Sequence, residues 1–181
     1  FGRGDETVYD EDIRKGRELC PDVLDVSIYE RNLPQDEIKR SLFPYSSLEF
    51  KFSKLAIYEP GGHFHVHRDT VRSHDHQGTL LIEVRSTHTG GDLVLEHNGE
   101  EVQWSLASND SDLTGNLVRY IAFFTDVNHR VEPILSGVRL VLQYDIYATP
   151  MDEAQQSKRQ KSVPWEEDDD SEGFFTKTSV F

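Results

Sequence analysis

Two periodicities divide the chain. From Leu48 the apolar residues Leu48, Phe50 and Phe52 alternate with Glu49, Lys51 and Ser53, and the run continues to Tyr58 before Gly61-Gly62. A period of two predicts a strand, because successive side chains of an extended backbone point to opposite faces. Further strands are predicted over 79–85, 92–96, 117–124, 130–134 and 138–147, with Gly90-Gly91 opening the second of these. Asn98-Gly99 is a hairpin signal and turns the chain back through Val102 to Trp104. Upstream the spacing changes. Ile38 and Leu42 stand four apart behind Pro34 and predict a short helix to Leu42. Asp10, followed by Glu11 and Asp12, predicts a capped helix through about Leu19, stopped at Pro21. Many short strands separated by Gly and Asn turns imply a mainly β protein with flanking helices, its strands folded into a two-sheet jelly roll.

At 181 residues the chain suits one domain with a sizeable core, expected over 1–148 with its heart at 48–147. It opens on Phe1 and not on Met, so the N-terminal part of that domain is expected to be cut short. Beyond Tyr147 the pattern lapses into a polar and acidic tail, 149–181, containing Glu166-Glu-Asp-Asp-Asp170 and ending in an aromatic stretch expected to dock on the domain or a partner. Nineteen Lys and Arg against 33 Asp and Glu give a formal charge of -14. That balance argues against nucleic acid as the main partner and favours a basic peptide or a small molecule. No apolar run reaches the roughly 20 residues of a membrane helix, so no membrane partner is expected. Cys20 is alone and marks no oxidising compartment, which favours a cytoplasmic or nuclear setting.

Eight histidines are the chemical signal. His63, His65, His67 and Asp69 share one parity after the Gly61-Gly62 turn. His67 and Asp69, one residue apart on an extended strand, face the same way, and His129 offers a third donor from a distant strand. Two imidazoles and one carboxylate on one side of a metal form the facial triad of non-haem Fe(II) oxygenases. Two other readings use the same residues: solvated surface imidazoles, or a hydrolase or isomerase site with His63, His65 and His67 as ligands and Asp69 as base. Arg139 sits among Val138, Leu140, Val141 and Leu142, where a charge is expected inside for a purpose. Trp104 reads as core. The segment 71–77, rich in His and charge, reads as lid, substrate contact or solvated loop.

The ordered set Tyr58, Gly61, Phe64, His67, Asp69, Gly90-Gly91-Asp92-Leu93, His129, Val131, Pro133, Gly137 and Arg139 resembles the iron- and 2-oxoglutarate-dependent dioxygenases, in their prolyl 4-hydroxylase-like branch. The resemblance spans about 48–147. It implies a double-stranded β-helix, with His67, Asp69 and His129 as Fe(II) ligands and catalytic centre. It implies Arg139 as anchor of the distal carboxylate of 2-oxoglutarate, with Tyr58 adding a phenolic hydrogen bond. It further implies dioxygen as co-substrate, ascorbate as an accessory reductant, and decarboxylation of 2-oxoglutarate to succinate coupled to hydroxylation of an unactivated C–H bond. The substrate is then a prolyl or other side chain of a protein or peptide. The alternatives are the same chemistry on a small metabolite, or a non-catalytic metal-binding or regulatory jelly-roll module. Apolar runs 80–84 and 121–124 are expected to wall the site against water, and Thr79 and Glu83 are further candidates without an assigned role.

Overall fold

The computed structural model describes residues 2–3, 6–7, 10–97, 99–105, 118–152 and 175–180. Strands β1 (Gly2–Arg3) and β2 (Glu6–Thr7) pair with each other. Next come β3 (Arg14–Lys15), β4 (Arg17–Leu19), a 3-10 turn (Pro21–Val23), α1 (Ser27–Glu30) and α2 (Gln35–Ser41). The barrel strands are β5 (Ser46–Tyr58), β6 (His63–His67), β7 (His76–Val84), β8 (His88–Gly90) and β9 (Leu93–His97). They continue as β10 (Glu100–Trp104), β11 (Val118–Phe124), β12 (Asn128–Val131), β13 (Ile134–Gly137) and β14 (Arg139–Pro150), and β15 (Phe175–Val180) follows.

The major sheet has the order β15-β11-β7-β14-β5-β4 and the minor sheet β10-β9-β12-β6-β3, with β13 and β8 pairing beside them. Successive strands alternate between the sheets: β5 lies in the major, β6 in the minor, β7 in the major, β9 in the minor, β11 in the major, β12 in the minor and β14 in the major. That alternation is the double-stranded β-helix of a jelly roll. Every barrel pairing is antiparallel, while β15 adds to β11 in parallel, so residues 175–180 of the closing stretch pair with the domain. β9 and β10 form the expected hairpin, His97 pairing with Glu100 and Gly99 taking φ +81°, while Asn98 lies outside the described residues. β14 runs to Pro150 opposite Ser46, two residues past the expected domain edge. The acidic run 166–170 lies outside the described residues.

Parity along the major sheet divides two cores. Leu80, Ile82, Tyr120, Ala122, Leu142, Tyr144 and Ile146 face outward and are covered by Ile38 of α2 and by Val26 and Phe43. Ile38 is wholly buried, which anchors the helix by roughly 2 kcal/mol of apolar burial. The opposite parity faces the minor sheet, where Ile121, Phe123 and Leu81 meet Leu93, Leu95, Trp104 and Val131. The runs 80–84 and 121–124 therefore wall the interior with alternate residues only, the others holding the helices. Trp104 is core, as expected.

The helix expected over 10–19 does not form. Asp10 does cap one turn: its carbonyl accepts from the backbone N–H of Ile13 and Arg14 at 3.2 and 2.9 Å, and its Oδ1 accepts from that of Asp12 at 3.0 Å. The chain then straightens about Gly16, where a Cβ would stand 3.0 Å from two ring carbons of Tyr58. On either side of this glycine β3 adds to β6 and β4 adds to β5. Pairing the open edges of two sheets at once outweighs a weak local helix preference. Among the described residues, no helix is long and apolar enough to cross a membrane.

Candidate active site

Between the sheets lies a cavity of about 340 Å³. His67 of β6, Asp69 just beyond it and His129 of β12 open into it, and their donor atoms lie within 4.8 Å of one another. His129 and His67 are register partners across the minor sheet, so the backbone ladder itself sets the two imidazoles side by side, with ring centroids 4.1 Å apart.

A bulge decides which histidines take part. His129 pairs with His67, but Val131 pairs with Phe64 where an unbroken ladder would place His65. The extra residue in β6 reverses parity there, as bulges do. Phe64 and His67 thus share the inner face and their rings stack at 3.4 Å, while His65 is exposed. His63 turns its ring nitrogens to the carbonyls of Gly61 and Asp12, at 3.0 and 3.1 Å. The sequence expectation that all four residues of one parity share a face is corrected here. A site built on His63, His65 and His67 is incompatible with this geometry.

The ring orientations are set by the backbone. His67 Nδ1 lies 2.8 Å from the carbonyl of His65, and His129 Nδ1 lies 3.0 Å from that of Val127. A carbonyl only accepts, so Nδ1 of each ring carries a proton, and Nε2 is the nitrogen turned to the cavity for a metal. Burial first and the neighbouring His129 second hold His67 well below the usual imidazole range, keeping it neutral. Asp69 Oδ2 accepts the hydroxyl of Thr79 at 2.5 Å. Its Oδ1 is left 3.9 Å from His129 Nε2. Thr79, a candidate without a role in the sequence, is therefore the residue that orients the carboxylate. Two imidazoles and one carboxylate fit Fe(II) with open positions better than a closed structural site.

Arg139 and Tyr58 are register partners on β14 and β5, and both line the cavity. Tyr58 is 5% exposed and Arg139 1% exposed. Among the described residues Arg139 Nε and Nη2 have no hydrogen-bond partner, and burial lowers the guanidinium from its ordinary value, with Glu83, Tyr58 and Asp92 opposing. A buried cation with two idle donors is costly unless an anion completes it. The arrangement fits the carboxylate of a bound co-substrate. Gly91, at φ +80°, passes so close that a Cβ there would meet Ile134 Cδ1 at 2.1 Å and Arg139 Cδ at 3.4 Å. Glu83 points to the same side, and burial raises its carboxyl to about 8.

The segment 71–77 is fastened down. Arg72 Nε lies 2.7 Å from Asp145 Oδ2, its Nη2 donates to Ser53 Oγ at 3.1 Å, and its backbone N–H donates to His76 Nδ1 at 3.2 Å. Arg72 and His76 both line the cavity, so this segment forms part of its wall.

Solved structures with this fold include a prolyl hydroxylase from Trichoplax adhaerens in complex with a hypoxia inducible factor oxygen degradation domain peptide fragment. It is 14% identical, with a TM-score of 0.57 over 90% of this chain and 73% of its own. A Pseudomonas putida prolyl-4-hydroxylase is 20% identical, with a TM-score of 0.49 over 78% of this chain and 76% of its own. A 2OG-Fe(II) oxygenase family oxidoreductase from Burkholderia pseudomallei is 16% identical, with a TM-score of 0.44 over 55% of this chain, which spans 45% of that protein's length. No curated protein sequence matches the chain. The family model of the 2OG-Fe(II) oxygenase superfamily matches residues 53–146, from the middle of β5 to the last turn of the barrel in β14, and the chain belongs to that superfamily.

Proposed function

We propose that the chain is an Fe(II)- and 2-oxoglutarate-dependent dioxygenase that hydroxylates a side chain of a protein or peptide, proline foremost, with decarboxylation of 2-oxoglutarate to succinate. The observation that carries this reading is the pairing of two features in one cavity: the His67, Asp69, His129 cluster, and the buried Arg139 with two unpartnered donors. Metal chemistry alone would not require the second feature. The prolyl hydroxylase fold neighbour bound to a peptide supports a peptide substrate.

In this reading His67 Nε2, His129 Nε2 and Asp69 Oδ1 hold the metal, and Thr79 fixes the carboxylate rotamer through Oδ2. Fe(II) with 2-oxoglutarate and dioxygen supplies an oxidant able to take hydrogen from an unactivated C–H bond. Arg139 pairs with the distal carboxylate in a charge-assisted contact, and the Tyr58 hydroxyl donates to the same group. Phe64, Leu93 and Val131 line the cavity with apolar surface and limit water around the reacting atoms. Ascorbate is the expected accessory reductant.

The test is anaerobic reconstitution with Fe(II) followed by dioxygen and 2-oxoglutarate. Succinate should form, and His67→Ala should abolish it. With a proline-containing peptide, the product should gain one oxygen atom. A wild-type protein that binds Fe(II) yet never yields succinate refutes the assignment.

A further inference from the structure

The chain is strongly acidic, yet its cavity is not. Acidic residues outnumber basic ones 33 to 19 along the sequence, whereas five Lys or Arg and three Asp or Glu line the cavity. Arg139 and Asp69 belong to the site already described. What remains is a set of four cations, Arg14, Lys54, Arg68 and Arg72, facing two carboxylates, Glu18 and Asp145. The cations come from β3, from β5 and from the connection between β6 and β7, segments brought together only by the fold.

Their pairing within the protein is incomplete. One carboxylate serves two of them: Lys54 Nζ donates to Glu18 Oε1 at 2.9 Å, and Arg14 is ion-paired with the same oxygen. Arg72 takes Asp145, which is 6% exposed. Among the described residues Arg68 meets only a neutral acceptor, its Nε donating to Asn128 Oδ1 at 2.8 Å. Arg14 Nε is buried without a partner, its guanidinium lying 4.8 Å over the Phe64 ring. These groups share one field. Lys54 is lowered to about 8, first by burial and then by Arg14, with Arg72 adding to the effect and Asp69 and Asp145 opposing it.

Size bears on what meets this field. A cavity of about 340 Å³ is near the lower end for a ligand site, and in the function proposed above 2-oxoglutarate occupies part of it. The remainder suits one side chain, and the rest of the substrate must lie across the mouth. Beyond a Debye length of about 8 Å the mouth's charge is screened, so only anionic groups next to the presented residue can use it. A long polyanion would also meet a chain of formal charge -14.

We infer that the outer part of the cavity, with Arg68 and Arg72 exposed and the half-buried Arg14 and Lys54 behind them, selects an acidic peptide segment, with carboxylates flanking the residue delivered to the metal. This rests on the function proposed above, and it reverses the preference for a basic peptide that overall composition suggests. The local cation excess decides, because substrate contacts are made at the mouth and not with the average surface.

The experiment compares short fluorescein-labelled peptides, each centred on the same proline, with flanks of Asp and Glu, of Gln, or of Lys. Binding to the full chain is read by fluorescence anisotropy. The acidic peptide should bind about tenfold tighter than the lysine peptide at low salt, and the preference should shrink at roughly 0.5 M salt. The double variant Lys54→Gln with Arg68→Gln, checked for an unchanged melting temperature, should reduce the preference to about threefold. Equal binding, or tighter binding of the lysine peptide to wild type, overturns the inference without recourse to any variant. So does an oligonucleotide that displaces the acidic peptide as well as unlabelled peptide does. Succinate formation, measured in parallel with and without peptide, separates the two levels: its presence in either condition beside charge-blind binding sinks only the acidic preference, and its absence in both sinks the dioxygenase reading.

Discussion

Arg139 is both the deepest charge in the cavity and the least satisfied. With 1% exposure and unpartnered Nε and Nη2, its guanidinium sits in the folded protein at a cost, and its lowered pKa, caused first by burial, has the same origin. Arg139→Met replaces that charge with an apolar chain of similar length. If the two idle donors are completed by the distal carboxylate of 2-oxoglutarate, the substitution removes a buried charge pair worth about 3–5 kcal/mol when one partner is lost. That corresponds to a loss of about two to three and a half orders of magnitude in affinity, at about 1.4 kcal/mol per tenfold. Stability without co-substrate should move the other way, because an unpaired buried cation is exchanged for packing. The melting temperature of Arg139→Met should equal or exceed that of wild type, and 2-oxoglutarate should no longer raise it. Affinity is read by anaerobic titration of the charge-transfer absorbance of the Fe(II) and 2-oxoglutarate complex, and stability by differential scanning fluorimetry. The opposite pair of results, an unchanged affinity with a fall of several degrees in melting temperature, would show that Arg139 serves Glu83 as a structural counter-charge, and the reasoning would fail.

Four further outcomes follow from particular contacts. Thr79→Val removes the hydroxyl donated to Asp69 and should weaken metal affinity about 10- to 100-fold with the fold intact, as measured by metal titration. His63→Ala and His65→Ala should leave metal affinity within about twofold of wild type while His67→Ala abolishes it, because the bulge in β6 turns the first two away; loss of metal in His65→Ala would contradict that placement. Glu83, raised to about 8 chiefly by burial, has its folded value above its ordinary 4.5, so its contribution to stability is whole below pH 4.5 and is lost as pH rises towards 8. Denaturant unfolding of wild type should weaken across that window by an amount on the order of a few kcal/mol, and Glu83→Gln should show a flatter profile. Gly137→Ala should destabilise more than Gly99→Ala, although both sit near φ +80°. A Cβ at 137 would lie 2.0 Å from the Thr87 carbonyl oxygen, whereas none of the surroundings approaches one at 99. The second change should cost about 1 kcal/mol of left-handed strain alone.

Much of this architecture is written in alternation. Alternation placed β5, apolar runs bounded by turn residues placed β7, β9, β11 and β14 within a few residues, and Asn98-Gly99 marked the turn between β9 and β10, because those signals depend on local backbone geometry and burial. The segment 10–19 shows where local reading stops. Asp10 has the chemistry of a cap and uses it for one turn, but Arg14–Lys15 and Arg17–Leu19 are strands because two sheet edges lie alongside them. Those edges belong to β6 and β5, some forty residues away in the chain, and no window around Asp10 contains them.

The site divides along the same line. His67, Asp69, His129 and Arg139 could be named as candidates from the sequence because the spacing of donors and the family resemblance single them out, and because a guanidinium among Val138, Leu140, Val141 and Leu142 is out of place otherwise. Their companions could not be given a role, since Thr79, a candidate without one, and Arg14 and Lys54, not singled out at all, gain it only through register. Thr79 reaches Asp69 because β7 lies across the barrel from the end of β6. Lys54 faces inward because it pairs with Gln143, on the same parity of β14 as Arg139 and Val141, and a register shift just beyond that pair hands the opposite parity to Phe52 and the helix-facing core. One inserted residue in β5 thus separates an apolar outer face from a charged inner one, as one inserted residue in β6 separates two idle imidazoles from the one that faces the cavity. Alternation predicts which face a residue shares with its neighbours only until the next bulge, and in this barrel the bulges sit beside the chemistry.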